Sequence, residues 1–407
     1  MILQMGWRNI WRNPRRTMVI LTAVIIGVWS MIFLGGLMRG VAEQMVRNGI
    51  ATMTGHVQIH QRGYRSDPVV QNRISNPEFI YTVLERHLPP EAIWTARVRL
   101  NAIANNARHS SGVKLIGIQP EKEARISFIG NALVQGRFLK ADEPYGIIVG
   151  QALVDKFETR LGRKLVLMSQ AADGEIASRA FRIVGIFRAE IEATEKQFVF
   201  VTLSAAQQML AMQDDISEVS VLLQGHADAD QAAAALKTAF KSEDLEVATW
   251  KDLLPLVTAV LKMYDGFIII WFVTVFIAMG FGLVNTILMA VFERIREFGL
   301  LRSLGMKPRL VVLEVLTESF FLLVIGTLIG NLLGIATTLA LARTGIDLSA
   351  FAAGMEFVGM SRIIIPVIYI KDIVTANATV FVLGLLVSLY PAVKASRINP
   401  VQAMAHT

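Results

Sequence analysis

The chain has 407 residues, of which 53% are hydrophobic and 18% charged, with no cysteine; its mean hydropathy is +0.49. That balance is too apolar for an ordinary water-soluble protein, and the lack of cysteine excludes disulfide frameworks and thiolate metal or redox centres. The net charge of +7 does not mark a nucleic-acid binder, because the arginines gather at the edges of apolar stretches, as basic residues do on the cytoplasmic side of a membrane.

At the start, Leu3, Trp7, Ile10 and Trp11 share one helical face, with Arg8, Arg12, Arg15 and Arg16 beside it. Residues 1–16 therefore read as an amphipathic helix lying in the headgroup layer. Thr17 to Met38 carries no charge, enough for a first span over 17–40. A secretory signal peptide competes with this reading. Its apolar region should be shorter and end at a small-residue cleavage site, which the stretch Leu34 to Arg39 matches poorly.

Residues 41–255 hold most of the charge and are long enough to bury their own core, as one domain or two subdomains. Strands are expected at His56–His60, Ala96–Ile103, Val113–Ile118, Gly146–Val149, Leu165–Met168, Phe181–Phe187, Glu218–Leu223 and Leu245–Ala248. Helices are expected at Gln151–Leu161, Ser204–Met212 and Asp228–Phe240, and another starting at Asn76-Pro77-Glu78, where cap, proline and acid coincide. The domain is α+β. Its histidines read as ordinary surface or strand residues: His56 and His60 share a strand face but lie about 13 Å apart by the strand rise, too far for one metal.

A stalk and second span follow over 256–292, then a charged linker over 293–310, a third span over 311–342, a short loop over 343–372, a fourth span over 373–393 and a tail over 394–407. Within the loop, Ser361 to Ile370 is apolar enough to rest on the membrane or form a strand. Four arginines precede the first span, Arg294, Arg296, Arg302, Lys307 and Arg309 lie in the linker, and Lys394 and Arg397 follow the last span. An N-in topology puts all of them in the cytoplasm and the α+β domain outside.

In the linker, Phe292, Ile295, Phe298 and Leu301 form an apolar stripe, while Glu293 can meet Arg296 and Glu297 can meet Arg294. A solvated juxtamembrane helix held by local ion pairs is one reading. Gly299 and Gly305 permit close backbone approach and unusual turns. In the third span, Glu314 and Glu318 share a face that should turn from lipid and pair with Lys307, Arg309 or another base on that side. Asn285 and Asn331 can form interhelical hydrogen bonds. Gly326, Gly330 and Gly334 make a small-residue ridge, and either that ridge or the Gly280/Gly282 region is expected to serve a subunit contact.

The linker pattern Glu293-Arg294, Arg296-Glu297, Gly299, Leu301-Arg302, Leu304-Gly305 resembles the segment between the second and third spans of FtsX/MacB-type ABC transporter permeases. The resemblance continues in Asn9 to Arg16, in Gln135 to Leu139, Ile147 to Gly150, Leu161-Gly162 and Phe181 to Ile186, and in Tyr390-Pro391-Ala392 through Asn399-Pro400, so it covers nearly the whole chain. It implies a four-span membrane protein with a MacB-type periplasmic core domain between the first and second spans. It also implies a coupling helix, carrying Glu293, Arg294, Arg296, Glu297, Gly299, Arg302 and Gly305, that docks on a separate ATPase. Where the MacB pump carries a fused ATPase domain, this sequence has only a short basic helix, and it contains no P-loop. No catalytic, cofactor or metal residue is assigned, and ATP and Mg belong to the partner. The resemblance implies two ATPase copies, a second permease chain, identical or homologous, and contact with membrane lipid. It places the chain in a bacterial inner membrane with both termini cytoplasmic. The look of Gly55 to His60 points to the lipoprotein-releasing LolC/LolE branch, with a lipoprotein cargo and a periplasmic acceptor. FtsX-like activation of a cell-wall hydrolase, drug or peptide efflux, and an ATP-independent anchored enzyme or binding module are the alternatives.

Overall fold

The computed structural model describes residues 2–189, 191–225, 228–241, 243–347 and 363–397. They form two compact units, one of residues up to 44 and the described residues from 260 onward, the other of residues 45–259. Tail residues 398–407, including Asn399-Pro400, and loop residues 361–362 lie outside the described residues.

Helix α1 (Ile2–Arg12) and helix α2 (Pro14–Gly49) are separated by Asn13. Pro14 opens α2, where its missing N–H costs nothing. Helix α1 buries Gly6 and Ile10, while Trp7 and Trp11 remain 44% and 56% exposed, as an interfacial helix requires. After α2 comes a π-helical turn, Ile50–Thr54, in which Thr52 and Met53 leave helical geometry and Met53 takes φ 70°.

The 45–259 unit begins with β1 (Val57–Gln61), α3 (Glu78–His87), β2 (Ile93–Asn105), β3 (Ser110–Ile118), α4 (Pro120–Ile126), β4 (Leu133–Gly136), β5 (Gly146–Gly150) and α5 (Gln151–Lys156). It continues with β6 (Lys164–Gln170), β7 (Ile176–Phe187), α6 (Glu192–Gln197), β8 (Phe198–Thr202), α7 (Leu203–Met209), β9 (Glu218–Leu222), α8 (Ala229–Ala239), β10 (Leu245–Thr249) and α9 (Trp250–Leu253). Strands β10, β1, β9 and β2 pair antiparallel in that order. With α3 after β1 and α8 after β9, this is a β-α-β-β-α-β unit of ferredoxin-like order. Everything from β3 to α7 is inserted between its second and third strands. The long β2 joins the parts: Ile93–Arg97 pair with β9, and Val98–Asn105 pair with β3. In the insert, β2, β3, β8, β5, β7 and β6 pair in turn until β6 returns to β2, closing a ring. Alternate residues fill it, among them Val98, Leu100, Ala102, Leu115, Ile147, Val149, Leu167, Phe181, Ile183 and Val199.

Several local expectations change. Helix α5 stops at Lys156 and α7 at Met209, short of Leu161 and Met212, because Glu158 and Ala211 turn to positive φ. Asn76 does not cap α3. It takes φ 55°, a left-handed conformation that asparagine tolerates, and Pro77 stands at the cap position. His56 and His60 are buried rather than superficial, since β1 lies between β9 and β10.

The remaining elements are α10 (Pro255–Glu293), α11 (Ile295–Ser303), α12 (Pro308–Thr344), the short pair β11 (Ile346–Asp347) and β12 (Ile363–Ile364), and α13 (Ile370–Ser396). Helices α2, α10, α12 and α13 are long and apolar enough to cross a membrane. They exceed the charge-free stretches because charged residues at their ends stay helical when paired. Arg39 of α2 grips Asp372 of α13 with two nitrogens, at 2.7 and 3.0 Å, and Asp265 of α10 at 2.6 Å. Many apolar side chains point outward, Ile269, Ile270, Val273, Ile277 and Phe281 among them, as hydrocarbon solvent allows.

Inside this unit the glycine ridge has a partner in the same chain. A Cβ at Gly326, Gly330 or Gly334 would lie 2.6, 2.8 or 3.0 Å from Val24, Val28 or Ile32 of α2. The ridge is a groove for three β-branched side chains and not the subunit contact expected from sequence. Among the described residues, a Cβ at Gly282 would meet nothing within 4 Å, and one at Gly280 would meet Phe276 of its own helix. Asn331 and Asn377 exchange side-chain hydrogen bonds at 2.9 and 3.3 Å between α12 and α13, whereas Asn285 is exposed.

Candidate functional site

Helix α10 ends at Glu293, and one residue, Arg294, stands between it and α11 with φ −106° and ψ 16°. This break decides which way the linker side chains face. Arg294 turns inward and donates to Glu314 at 2.8 Å, Glu318 at 3.1 Å and Glu297 at 3.1 Å. Arg16 donates to the other oxygen of Glu318 at 2.7 Å, and Asn9 to Glu314 at 3.0 Å. Glu314 and Glu318 are thus buried four residues apart on α12 with two guanidinium groups between α2 and the corner. A buried carboxylate left unpaired costs several kcal/mol, and here two positive charges balance two negative ones. Of the bases expected there, Lys307 and Arg309 are exposed, and the third alternative, another base on that side, is met by Arg294 at the break and Arg16 of α2.

Around that centre runs a more open ring. Arg12 forks onto Glu297 with both terminal nitrogens, and Glu293 meets Asn13 at 3.3 Å and Arg16 at 3.6 Å in place of Arg296. The Arg12 hydrogen bond, with that of Arg294, holds Glu297 below the usual carboxylate range, and Glu297 in turn raises Arg12. Arg302 donates to the Ser396 carbonyl at 2.9 Å, tying α11 to the end of α13. Helix α11 is therefore fixed to α1, α12 and α13.

Of the linker residues picked out from sequence, Arg294 and Gly299 are buried, Glu297 and Arg302 are half-buried, and Glu293, Arg296 and Gly305 are exposed. The apolar stripe is divided by the break. Phe298 is buried, but Phe292 belongs to α10 and is half-exposed, with the Lys394 ammonium 5.1 Å from its ring. The outward face of α11 carries Arg296 and Leu300, with Leu304 directly after its last residue, the two leucines 54% and 77% exposed. Gly305 then turns the chain at φ 96°, a conformation that favours glycine. An apolar pair beside an exposed guanidinium, on a helix held from behind, suits a protein contact.

Asn9, Arg12, Asn13 and Arg16 were not singled out as network members from sequence. Their basic, amphipathic pattern was visible, but their partners lie 280 or more residues away. Among the described residues no group of three or more His, Asp or Glu side chains is placed to hold a metal ion.

The model for the MacB-like periplasmic core domain matches residues 17–239, and that for the FtsX-like permease C-terminal region matches residues 262–400. An uncharacterized ABC transporter permease of Methanocaldococcus jannaschii is 21% identical, over 99% of this chain and 97% of that one. The lipoprotein-releasing system transmembrane protein LolC of Neisseria meningitidis is 21% identical, over 96% of this chain and 94% of its own. The macrolide export ATP-binding/permease protein MacB of Escherichia coli is 24% identical over 99% of this chain, which spans 60% of that longer protein. Permeases of this type work with ABC ATPases. With four membrane-length helices, a MacB-like domain between the first and second, and an FtsX-like C-terminal region, this chain belongs to the MacB/FtsX family of ABC transporter permeases.

Proposed function

We propose that this chain is the permease subunit of a bacterial inner-membrane ABC transporter that turns ATP hydrolysis on a separate ATPase into motion of its extracytoplasmic domain. The observation that carries this reading is the α11 corner: Arg296, Leu300 and Leu304 face outward, while Arg294 and Glu297 hold the helix from within. ATP and Mg bind the partner, two copies of which serve a pair of permease chains, and both termini are cytoplasmic. Residues 17–239 match the family's periplasmic domain, which fits work done on the outer side of the bilayer. The cargo class favoured is a membrane-extracted lipoprotein or lipid, by likeness to LolC.

The test is co-purification and ATP hydrolysis in proteoliposomes with Arg296→Glu and Leu300→Glu. ATPase association should fall at least tenfold with insertion unchanged; undiminished association and hydrolysis would end the reading. Sidedness is checked separately with impermeant thiol reagents on Ser303→Cys and Ser178→Cys, both at exposed positions. The first should be protected in intact cells and the second labelled.

A further inference from the structure

The turn that follows α2 is held in an unfavourable shape by one buried arginine. Met53 is fully buried and sits at φ 70° and ψ 0°, the left-handed region that is unfavourable for a residue with a side chain. Gly55 follows at φ 67°, where a Cβ would press on Ser220 and on the Val221 carbonyl 2.9 Å away. The Met53 carbonyl accepts from Arg97 at 2.6 Å and from Gln58 at 3.0 Å.

Arg97 is completely buried, and its other nitrogens are taken. Two of them grip Glu123 of α4 at 2.8 Å each, and the nitrogen that reaches Met53 also lies 3.2 Å from Glu218 of β9. Arg97 stands opposite Glu218 in the sheet register, at the point where β2 passes from β9 to β3. A single guanidinium therefore joins the turn after α2, the four-stranded sheet and the first helix of the insert. Glu218 is shared with Arg99 at 3.8 Å and His60 at 3.7 Å, whereas Glu123 takes Arg97 with both oxygens. That bidentate grip is directional: it fixes the guanidinium plane and aims the third nitrogen at the Met53 carbonyl.

We propose that Arg97 is a positioning residue that sets the Ile50–Gly55 joint, so that displacement of α2 is delivered to β1 and β9 as a body instead of being absorbed by the turn. This goes beyond docking at α11 but rests on the reading of the protein as a transmitter of motion. Without the Arg97 contact, the Met53 carbonyl keeps only the neutral bond from Gln58, and the non-helical dihedrals of Thr52 and Met53 are held less firmly. The turn then relaxes and becomes compliant.

The experiment uses the full chain with its ATPase in lipid nanodiscs, and hydrogen exchange of the peptide covering residues 50–56, with β5 and β8 as internal reference. Arg97→Lys keeps the charge that Glu123 and Glu218 require but cannot make the fork and reach Met53 together. Gln58→Leu leaves all the charges in place and removes the second bond to the Met53 carbonyl. Exchange at 50–56 should rise about tenfold in Arg97→Lys, as expected for loss of a charge-assisted bond, and less in Gln58→Leu, with β5 and β8 unchanged. ATP hydrolysis should persist while the nucleotide-dependent change in β1 and β9 exchange disappears. Unchanged exchange at 50–56 in both variants, or a rise shared equally by β5 and β8, would overturn the proposal. A wild-type chain with no nucleotide-dependent exchange in β1 and β9 would overturn the transmission reading, while the 50–56 comparison would still decide whether Arg97 sets the joint.

Discussion

Arg97 and Arg294 are each an arginine buried against two glutamates at a place where a helix stops, yet the two surroundings differ. Arg97 is sealed: its side chain and Glu123 are fully buried, and the Glu218 side chain is 1% exposed. The Arg294 cluster opens outward through Glu297 and Arg12, whose side chains are 39% and 58% exposed. Burial raises the cost of a missing partner and the rigidity of the pair, whereas exposure lets ions and neighbouring proteins compete for it. The sealed cluster suits a fixed joint. The open one suits a corner whose partners are exchanged when something docks.

The largest effect should come from Arg97→Met, which strips the fully buried Glu123 of its guanidinium and leaves Glu218 with Arg99 and His60; it should lower stability by about 3–5 kcal/mol, measured by denaturant melting in detergent. Adding Glu123→Gln and Glu218→Gln should recover most of the loss. Arg294→Met should cost less, about 2–4 kcal/mol, because Arg16 still neutralises Glu318 and Asn9 still reaches Glu314; Glu314→Gln should rescue it. Gly330→Leu tests packing without charge, and wedging a side chain against Val28 should cost about 1–3 kcal/mol. Arg296→Glu, on the open face, should stay within about 0.5 kcal/mol of wild type.

Acid separates the clusters further. Burial alone would raise Glu218, but His60, Arg99 and Arg97 hold it down to about 2 from 4.5. A carboxylate depressed in the folded state contributes stability above its unfolded value and loses it as pH falls through the folded one. That contribution should therefore be complete above pH 4.5 and fade toward pH 2. Glu218→Gln should flatten that part of the stability profile, and an unaltered profile would contradict the assignment.

The spans, the linker between α10 and α12 and most strands of the 45–259 unit were legible because each is a local pattern: a charge-free run, or alternation bounded by turns. Strand β8 is hidden because Phe198–Thr202 is buried at every residue without alternation and, unlike the equally buried β5 with Gly146 and Gly150 at its ends, has no glycine to mark its limits. The sheet order was hidden because β2 and β9 are neighbours in space with the whole ring of strands between them in sequence. The linker read as a self-contained helix of Glu–Arg pairs, and at Arg294–Glu297 such a pair forms. The partners that bury Arg294 come from α12 and those that hold Glu314 from α1, and no spacing rule encodes contacts of that range.

Arg16 and Arg39 are 23 positions apart on α2, about 35 Å at the helical rise, close to the thickness of a bilayer core plus its margins. Each is anchored to a carboxylate on another helix, Glu318 at one end and Asp372 at the other. A piston stroke of one helical turn would tear both anchors and drag two guanidinium groups through the wrong dielectric. Pivoting with its neighbours as a single raft breaks neither, so the first span is built to lean and not to slide.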